Sequence, residues 1–191
     1  MKVRESGMPG EELWQSFFEP DAMLDAMGLT GNARDAVDFG CGYGTFAIPA
    51  AKRIRGVLHG FDLEPVMIEA SQRLAEREKV GNARFYLRDF VAEGTGLEAE
   101  SVDYAMLFNI LHAEDPQRLL CEAKRILAPW GRVAVIHWNY DPKTPRGPPM
   151  SIRPRPGDCR RWIEAVGFAI EKAPIDLPPY HYGILARKEQ T

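Results

Sequence analysis

A chain of 191 residues, 45% apolar and 27% charged, has the size and composition of one globular domain with its own core, which excludes a disordered chain. Its net charge of −3 gives no general attraction to nucleic acid or anionic lipid, and no stretch approaches the ~20 apolar residues of a membrane span. A cytoplasmic protein is expected, monomer or homodimer, with no nucleic-acid or membrane partner; Cys41, Cys121 and Cys159, with no CxxC and no histidine at ligand spacing, imply no metal site and a reducing compartment.

Met1 to Gly10 reads as a frayed tail. Glu11 to Ala26 carries Leu13, Trp14, Phe17, Phe18, Ala22, Met23 and Ala26 at helical spacing, and Pro20 divides it into two short helices over something apolar. Residues 1–34 are thus expected to form a helical cap on a single domain spanning 1–191. Asp35 to Phe39 is a first strand, followed by alternating Gly40, Gly42 and Gly44 and a helix from Gly44 to about Arg55. Val57 to Phe61 is a second strand ending at Asp62, and Glu64-Pro65 opens a helix with Val66, Met67, Ala70 and Leu74 on one stripe. Ala83 to Leu87 is a third strand, running into Arg88-Asp89-Phe90, and the polar stretch Val91 to Glu100 is a connection. Val102 to Phe108 is a fourth strand ending at Asn109; Asp115-Pro116 caps a helix with Leu119, Leu120, Ala123, Ile126 and Leu127 inward. Pro129-Trp130-Gly131 turns the chain into a fifth strand, Arg132 to Ile136, which ends at His137-Trp138.

Asn139 to Pro156 holds six prolines and four basic residues, Lys143, Arg146, Arg153 and Arg155, and reads as a long irregular loop. Asp158 caps a last helix stopped by Gly167, and Phe168 to Lys172 and Tyr182 to Arg187 read as an antiparallel pair at the sheet edge, joined through Pro174 to Pro179. Strands alternating with amphipathic helices imply an α/β fold with a parallel sheet covered on both faces. Ligands bind such sheets outside the carboxyl ends of the strands, so Asp38, Asp62, Asp89, Asn109 and His137 share one rim.

Alternate glycines let the backbone take positive φ and approach a ligand closely. A dinucleotide turn wants G-x-G-x-x-G, its third glycine allowing close helix packing. Here the run is Gly40-x-Gly42-x-Gly44 with Thr45 at that third position, and Asp38 precedes it. An acid there suits a ligand carrying an ammonium and a sulfonium better than one carrying phosphates. Asp62 stands where a carboxylate accepts both hydroxyls of a ribose.

The ordered series Asp38-Phe39-Gly40-Cys41-Gly42-Tyr43-Gly44, Asp62, Arg88-Asp89-Phe90 and Asp103 to Asn109 resembles the motifs of class I S-adenosylmethionine (SAM)-dependent methyltransferases. Ser101 to Ala105, with Leu127-Ala128-Pro129-Trp130-Gly131, is similar to the small-molecule branch that includes ubiquinone and menaquinone biosynthesis methyltransferases. One departure is that a common Lys-Pro-Gly-Gly turn is here Ala128-Pro129-Trp130-Gly131. The resemblance implies a Rossmann-like three-layer sandwich, its seven-stranded, mostly parallel sheet closed by an antiparallel last strand, with SAM as cofactor and a small-molecule methyl acceptor. It also implies that Asp38, Gly40, Cys41, Gly42 and Gly44 hold the methionine part, with Asn109 beside it. Asp62 then takes the ribose, Leu63 the adenine face and Asp89 the adenine amino group, with Phe90 adjacent.

Plain structural alternatives stand beside these roles: Asp62 beginning the next helix, Asp89 capping a turn, Phe90 in the core. Methyl transfer is an in-line displacement that needs positioning above all; a base matters only where the acceptor loses a proton. His112 and His137 are the candidates for that base. Trp138 and Arg146 are candidate substrate contacts, and the 139–156 loop is either a lid whose Arg146, Arg153 and Arg155 bind an anionic acceptor or a solvated connection. Two other functions remain open at this point, a SAM-binding regulatory or partner protein without turnover and an NAD-dependent oxidoreductase.

Overall fold

The computed structural model describes residues 8–189; of the tail expected at Met1 to Gly10, all but residues 8–10 lie outside them. The strands are β1 (Ala36–Phe39), β2 (Leu58–Asp62), β3 (Ala83–Leu87), β4 (Val102–Phe108), β5 (Leu127–Trp138), β6 (Phe168–Leu177) and β7 (His181–Lys188). They form one seven-stranded sheet in the order β3-β2-β1-β4-β5-β7-β6. β1 pairs in parallel with β2 and β4, and the parallel run continues to β3 and β5. β7 is antiparallel to both of its neighbours. The chain winds outward from β1 in both directions, so the turn after β1 sits at the crevice where such sheets bind ligands.

Because side chains alternate along a strand, each central strand feeds two cores. Ala36, Tyr104, Met106, Phe108, Ala134, Ile136 and Trp138 face one layer, with Leu24, Ala47 and Ala51. Val37, Phe39, Ala105, Leu107, Val133 and Val135 face the other, with Leu119, Ala123 and Ile163. The first layer is covered by α1 (Glu11–Gln15), α2 (Pro20–Ala26) and α3 (Ala47–Arg53), and α4 (Pro65–Arg77) follows β2. The second layer is covered by α6 (Pro116–Ile126) and α7 (Pro156–Ala165); α5 (Phe90–Glu93) is a single turn at the rim. Tyr104, buried in the middle of the sheet, donates its hydroxyl to the Met27 carbonyl at 2.7 Å and so ties the segment after α2 to β4.

Several element boundaries differ from expectation for local reasons. The helix after the glycine run begins only at Ala47, since Gly44 still holds a φ of +82°. β5 starts at Leu127, through the Pro129-Trp130 stretch, and β6 continues through Pro174. A proline is tolerated there because β6 is an edge strand with register shifts. Asp158 is not the cap of α7 but its third residue, accepting from the Arg155 backbone N–H at 2.9 Å. In the N-terminal segment Leu13 and Ala22 point to solvent, while Phe17, Phe18, Met23 and Leu24 are buried.

Candidate functional site

The turn from β1 to α3 runs in left-handed backbone at Gly40, Gly42 and Gly44, with φ of +75°, +53° and +82°. The Gly40 and Cys41 N–H groups both donate to the Phe61 carbonyl, at 2.8 and 2.9 Å, which fixes the turn to the end of β2. A Cβ on Gly40 would stand 3.0 Å from the Ile110 side chain, which would have to give by a few tenths of an ångström, and its φ of +75° strains any L side chain there. Asp62 braces the turn from below: its Oδ2 accepts from the Gly42 N–H at 2.9 Å and its Oδ1 from the Glu64 N–H at 3.0 Å. Ser71 of α4, fully buried, donates to the Gly42 carbonyl at 2.8 Å. Sequence reasoning missed Ser71, although a serine between Met67 and Leu74 on an apolar stripe is a signal that its hydroxyl has a specific partner.

Asp38 lies on the same strand face as Ala36, under the N-terminal helices, and is only 3% exposed. Burial, and then the neighbouring Asp62, push its carboxyl up to about 7. Burial also raises the Asp62 carboxyl, against the pull of the Glu64, Gly42 and Leu63 backbone N–H groups. Asp38, Gly40, Cys41, Gly42, Thr45 and Asn109 line one pocket, which Trp14, Phe46 and Phe108 wall on its apolar side. Asn109 sits in left-handed backbone, φ +58°. Its amide nitrogen and oxygen, like the Thr45 hydroxyl, are buried without a hydrogen-bond partner. Burying an amide unpaired costs on the order of 1–3 kcal/mol, and a ligand with polar groups recovers it. The Cys41 thiol is held well above its ordinary range by burial and by Asp38 and Asp62, so it offers no thiolate.

At the far end of the rim, Asp89 caps α5, its Oδ1 accepting from the Ala92 N–H at 2.9 Å. Phe90 is buried edge-on against Phe39 with ring centres 5.7 Å apart. Both plain alternatives are therefore realised in the fold. Leu63 is partly buried just beyond Asp62.

The histidines require corrections. His137 does not stand open on the rim: it is fully buried, with its Nε2 3.4 Å from His112 Nδ1. Burial and the adjacent His112 hold its pKa well below the ordinary value. His112 is the partly exposed member of the pair. Trp138 is likewise buried, 1% exposed, within a ring cluster. Phe17 lies 5.4 Å and His181 4.3 Å from it between ring centres. A side chain packed on all sides does not reach a substrate. The two burials have different causes: Trp14, Phe17 and Phe18 pack over Trp138 and His181, whereas His137 is enclosed beside His112 and Tyr182.

A family model described as a methyltransferase domain matches residues 36–131, half of the chain and all of the rim from Asp38 to Asn109. The chain belongs to the class I SAM-dependent methyltransferases. Aklanonic acid methyltransferase DauC of Streptomyces sp. (strain C5) is 33% identical over 101 residues, 51% of this chain and 45% of that protein. The chain spans less than half the length of the curated relatives it matches. Among solved structures, a SAM-dependent methyltransferase from Aquifex aeolicus has a TM-score of 0.82 at 19% identity, covering 94% of both chains. Geranyl diphosphate C-methyltransferase from Streptomyces coelicolor A3(2) has a TM-score of 0.74 at 15% identity, covering 95% of this chain and 84% of that one. At these identities the two structures speak to fold alone.

The methyltransferase pocket fits the family's cofactor on two observations of its own. Its glycine turn holds left-handed backbone at Gly40, Gly42 and Gly44, where side chains are strained, and its buried polar atoms at Thr45 and Asn109 lack partners. The Pro-rich loop of this methyltransferase is organised from within by Arg153, 8% exposed. Its guanidinium donates to the carbonyls of Pro148, Asn139, Asp141 and Arg146 at 3.0–3.2 Å and to the Thr144 hydroxyl at 2.6 Å. The Arg155 guanidinium stacks 4.2 Å over the Tyr140 ring, and Arg146 is exposed. Arg153 is thus removed from the set of anion-binding candidates, because its donors are committed to the loop. Among the described residues no helix is long and apolar enough to cross a membrane, and no group of histidine, cysteine and acidic residues forms a metal site.

Proposed function

We propose that this domain transfers a methyl group from SAM to a small, largely apolar or aromatic acceptor. The observation that carries the reading is the pocket at the end of β1: it is lined by the buried Asp38 carboxyl, glycines, the unpaired polar atoms of Thr45 and Asn109 and three aromatic side chains, and the buried Asp62 braces its turn. The acidic half suits an ammonium, a sulfonium and a ribose diol. Asp62 spends one acceptor position of each oxygen on a backbone N–H, which orients it and leaves capacity for the two ribose hydroxyls. Asp38, Gly40, Cys41, Gly42, Gly44 and Asn109 take the methionine arm, where the Asp38 carboxylate faces the ammonium. Leu63, Asp89 and Phe90 frame the adenine.

When bound, SAM supplies a methyl on sulfonium that a nucleophile displaces in line. The chain's part is to orient the cofactor, to hold the acceptor along that line and to exclude water. Trp14 of α1, Phe46 and Phe108 supply the apolar wall, and the cap formed by α1 and α2 encloses it. This enclosure and the net charge of −3 favour a small molecule over a polymer. Two related proteins carry the names of small-molecule acceptors, aklanonic acid in one and geranyl diphosphate in another. For a hydroxyl acceptor, His112 is the base, and the buried, neutral His137 is a positioning residue 3.4 Å behind it. The 139–156 loop borders the acceptor side, with Arg146 as its exposed cation.

Calorimetry with S-adenosylhomocysteine and NAD, followed by methyl transfer from isotopically labelled SAM to a panel of phenols and prenyl diphosphates, tests the reading. Micromolar binding of S-adenosylhomocysteine with no NAD binding, and label on a member of the panel, are expected. Binding of NAD alone overturns the cofactor, and binding of the cofactor product without transfer to any acceptor favours a SAM-binding regulator.

A further inference from the structure

Residues 8–10 pass over the glycine turn before α1 begins. The Tyr43 hydroxyl, from within the turn, donates to the Pro9 carbonyl at 3.0 Å. From that latch the Met8 side chain reaches down: a Cβ on Gly42 would stand 2.9 Å from Met8 Cε and 3.3 Å from its Sδ. Met8 lines the pocket together with Asp38, Asn109 and Trp14, and leaves a cavity of about 20 Å³, enough for roughly one water. A thioether is at most a weak acceptor. It fills space but does not satisfy the Thr45 hydroxyl or the Asn109 amide, which stay unpaired beside it.

A pocket lined by the Asp38 carboxyl, the Thr45 hydroxyl and the Asn109 amide therefore holds an apolar arm ending in CH2–S–CH3. That arm has the shape of the cofactor's methionine side chain without its charges. The contacts that hold the strap include the Tyr43 hydrogen bond, the Trp14 N–H donating to the Gly10 carbonyl at 3.0 Å and, from α1, an ion pair of Arg77 to Glu11 at 4.0 Å between side chains 62% and 40% exposed. Exposed pairs of that kind contribute little.

We propose that Met8 is an intramolecular plug of the cofactor site, held by Tyr43, and that SAM binds only after the 8–10 strap has swung out, an inference that rests on the cofactor reading above. Met8 competes with the cofactor, so the apparent Kd is the intrinsic one divided by the open fraction. Removing the plug raises that fraction.

Calorimetry with S-adenosylhomocysteine on the wild-type chain, Met8→Ala and Tyr43→Phe reads this directly. Met8→Ala is expected to bind about tenfold tighter and Tyr43→Phe roughly two- to tenfold tighter. In the unaltered protein carrying 13C-methyl methionine, the Met8 ε-methyl resonance, assigned by its loss in Met8→Ala, is expected to move to a mobile, solvent-exposed position on adding S-adenosylhomocysteine. Equal or weaker affinity in both variants overturns the plug, because the strap then belongs to the bound site. An unmoved Met8 resonance at saturation overturns it equally. Binding by Met8→Ala with none by the wild type is its strongest support. Failure of all three folded proteins to bind overturns the cofactor reading itself, and the plug with it.

Discussion

Replacing Asp38 by asparagine tests the electrostatics of the pocket with almost no change in shape. In the folded chain the Asp38 carboxyl is raised from 3.8 to about 7 by burial and by Asp62. A group raised on folding contributes stability that is fully present below its unfolded pKa and is lost as pH rises through the folded one. Ionised Asp38 therefore destabilises the ligand-free protein between about pH 4 and 7 by an amount with a ceiling of ~4 kcal/mol. Relaxation and a polarisable interior reduce this to ~1–3 kcal/mol. Asp38→Asn removes the charge, so the variant should match the wild type near pH 4 and exceed it by that amount above pH 7. For a domain of this size the gain is about 2–4 °C in Tm per kcal/mol. Urea unfolding of both proteins without ligand, from pH 4 to 8, measures the difference, and the histidine contributions common to both cancel. The same substitution should weaken S-adenosylhomocysteine binding, and wild-type affinity should rise with pH up to about 7, since the ammonium needs the ionised carboxylate. A stability difference independent of pH, or a variant less stable at pH 7 than the wild type, refutes the reasoning.

Other outcomes follow from neighbouring groups. Asp62→Ala should weaken S-adenosylhomocysteine binding by roughly 10²–10⁴-fold, two charge-assisted bonds at ~1.5–3 kcal/mol each, and also lower Tm, because Gly42 and Glu64 lose their acceptor; an unchanged calorimetric Kd sinks the ribose assignment. Arg153→Lys should behave like Arg153→Ala, with hydrogen exchange accelerating across residues 139–153 but not in β4 or β5, since an ammonium does not reproduce the planar set of donors; full protection in the lysine variant contradicts it. His137 and His181, the latter lowered to about 3 by burial, should show neutral imidazoles in 15N spectra at pH 5. Both pKa values are depressed on folding, so this pair loses stability as pH falls below about 6.5, and an imidazolium pattern at pH 5 contradicts their burial.

What was legible in the sequence was local or periodic. β3 and β4 have the boundaries that the apolar runs predict, and Asp38, Asp62, Asp89 and Asn109 come to one rim because parallel strands end on one side. What was not legible depends on contacts between distant segments. Nothing near Trp138 or His181 says that Phe17 and Phe18 fold over them, and nothing near His137 says that His112 and Tyr182 enclose it. Arginines among prolines read equally as anion ligands or loop anchors, and only the fold brings four carbonyls and a hydroxyl around Arg153. Ser71 gains its role only where the fold sets the Gly42 carbonyl opposite its hydroxyl. Met8 fell in a stretch with no apolar period at all.

The pocket holds several costs at once in the ligand-free chain: a raised buried carboxyl, an amide and a hydroxyl without partners, and an asparagine in left-handed backbone. Each belongs to the short list of features that destabilise a fold by a kcal/mol or more, and all lie within one rim at the topological switch of the sheet. In β1, β4 and β5 themselves the only side-chain polar atom among the described residues that is buried without a partner is His137 Nδ1. That segregation is what an evolved binding site requires, since costs incurred before binding are recovered as affinity when a complementary ligand arrives. A cation beside Asp38 lowers the cost of its charge, a polar group near Asn109 and Thr45 supplies their missing partners, and neither is supplied by Met8. The chain's own methionine can therefore occupy this pocket without matching it, which makes it displaceable by a ligand that carries the missing charges.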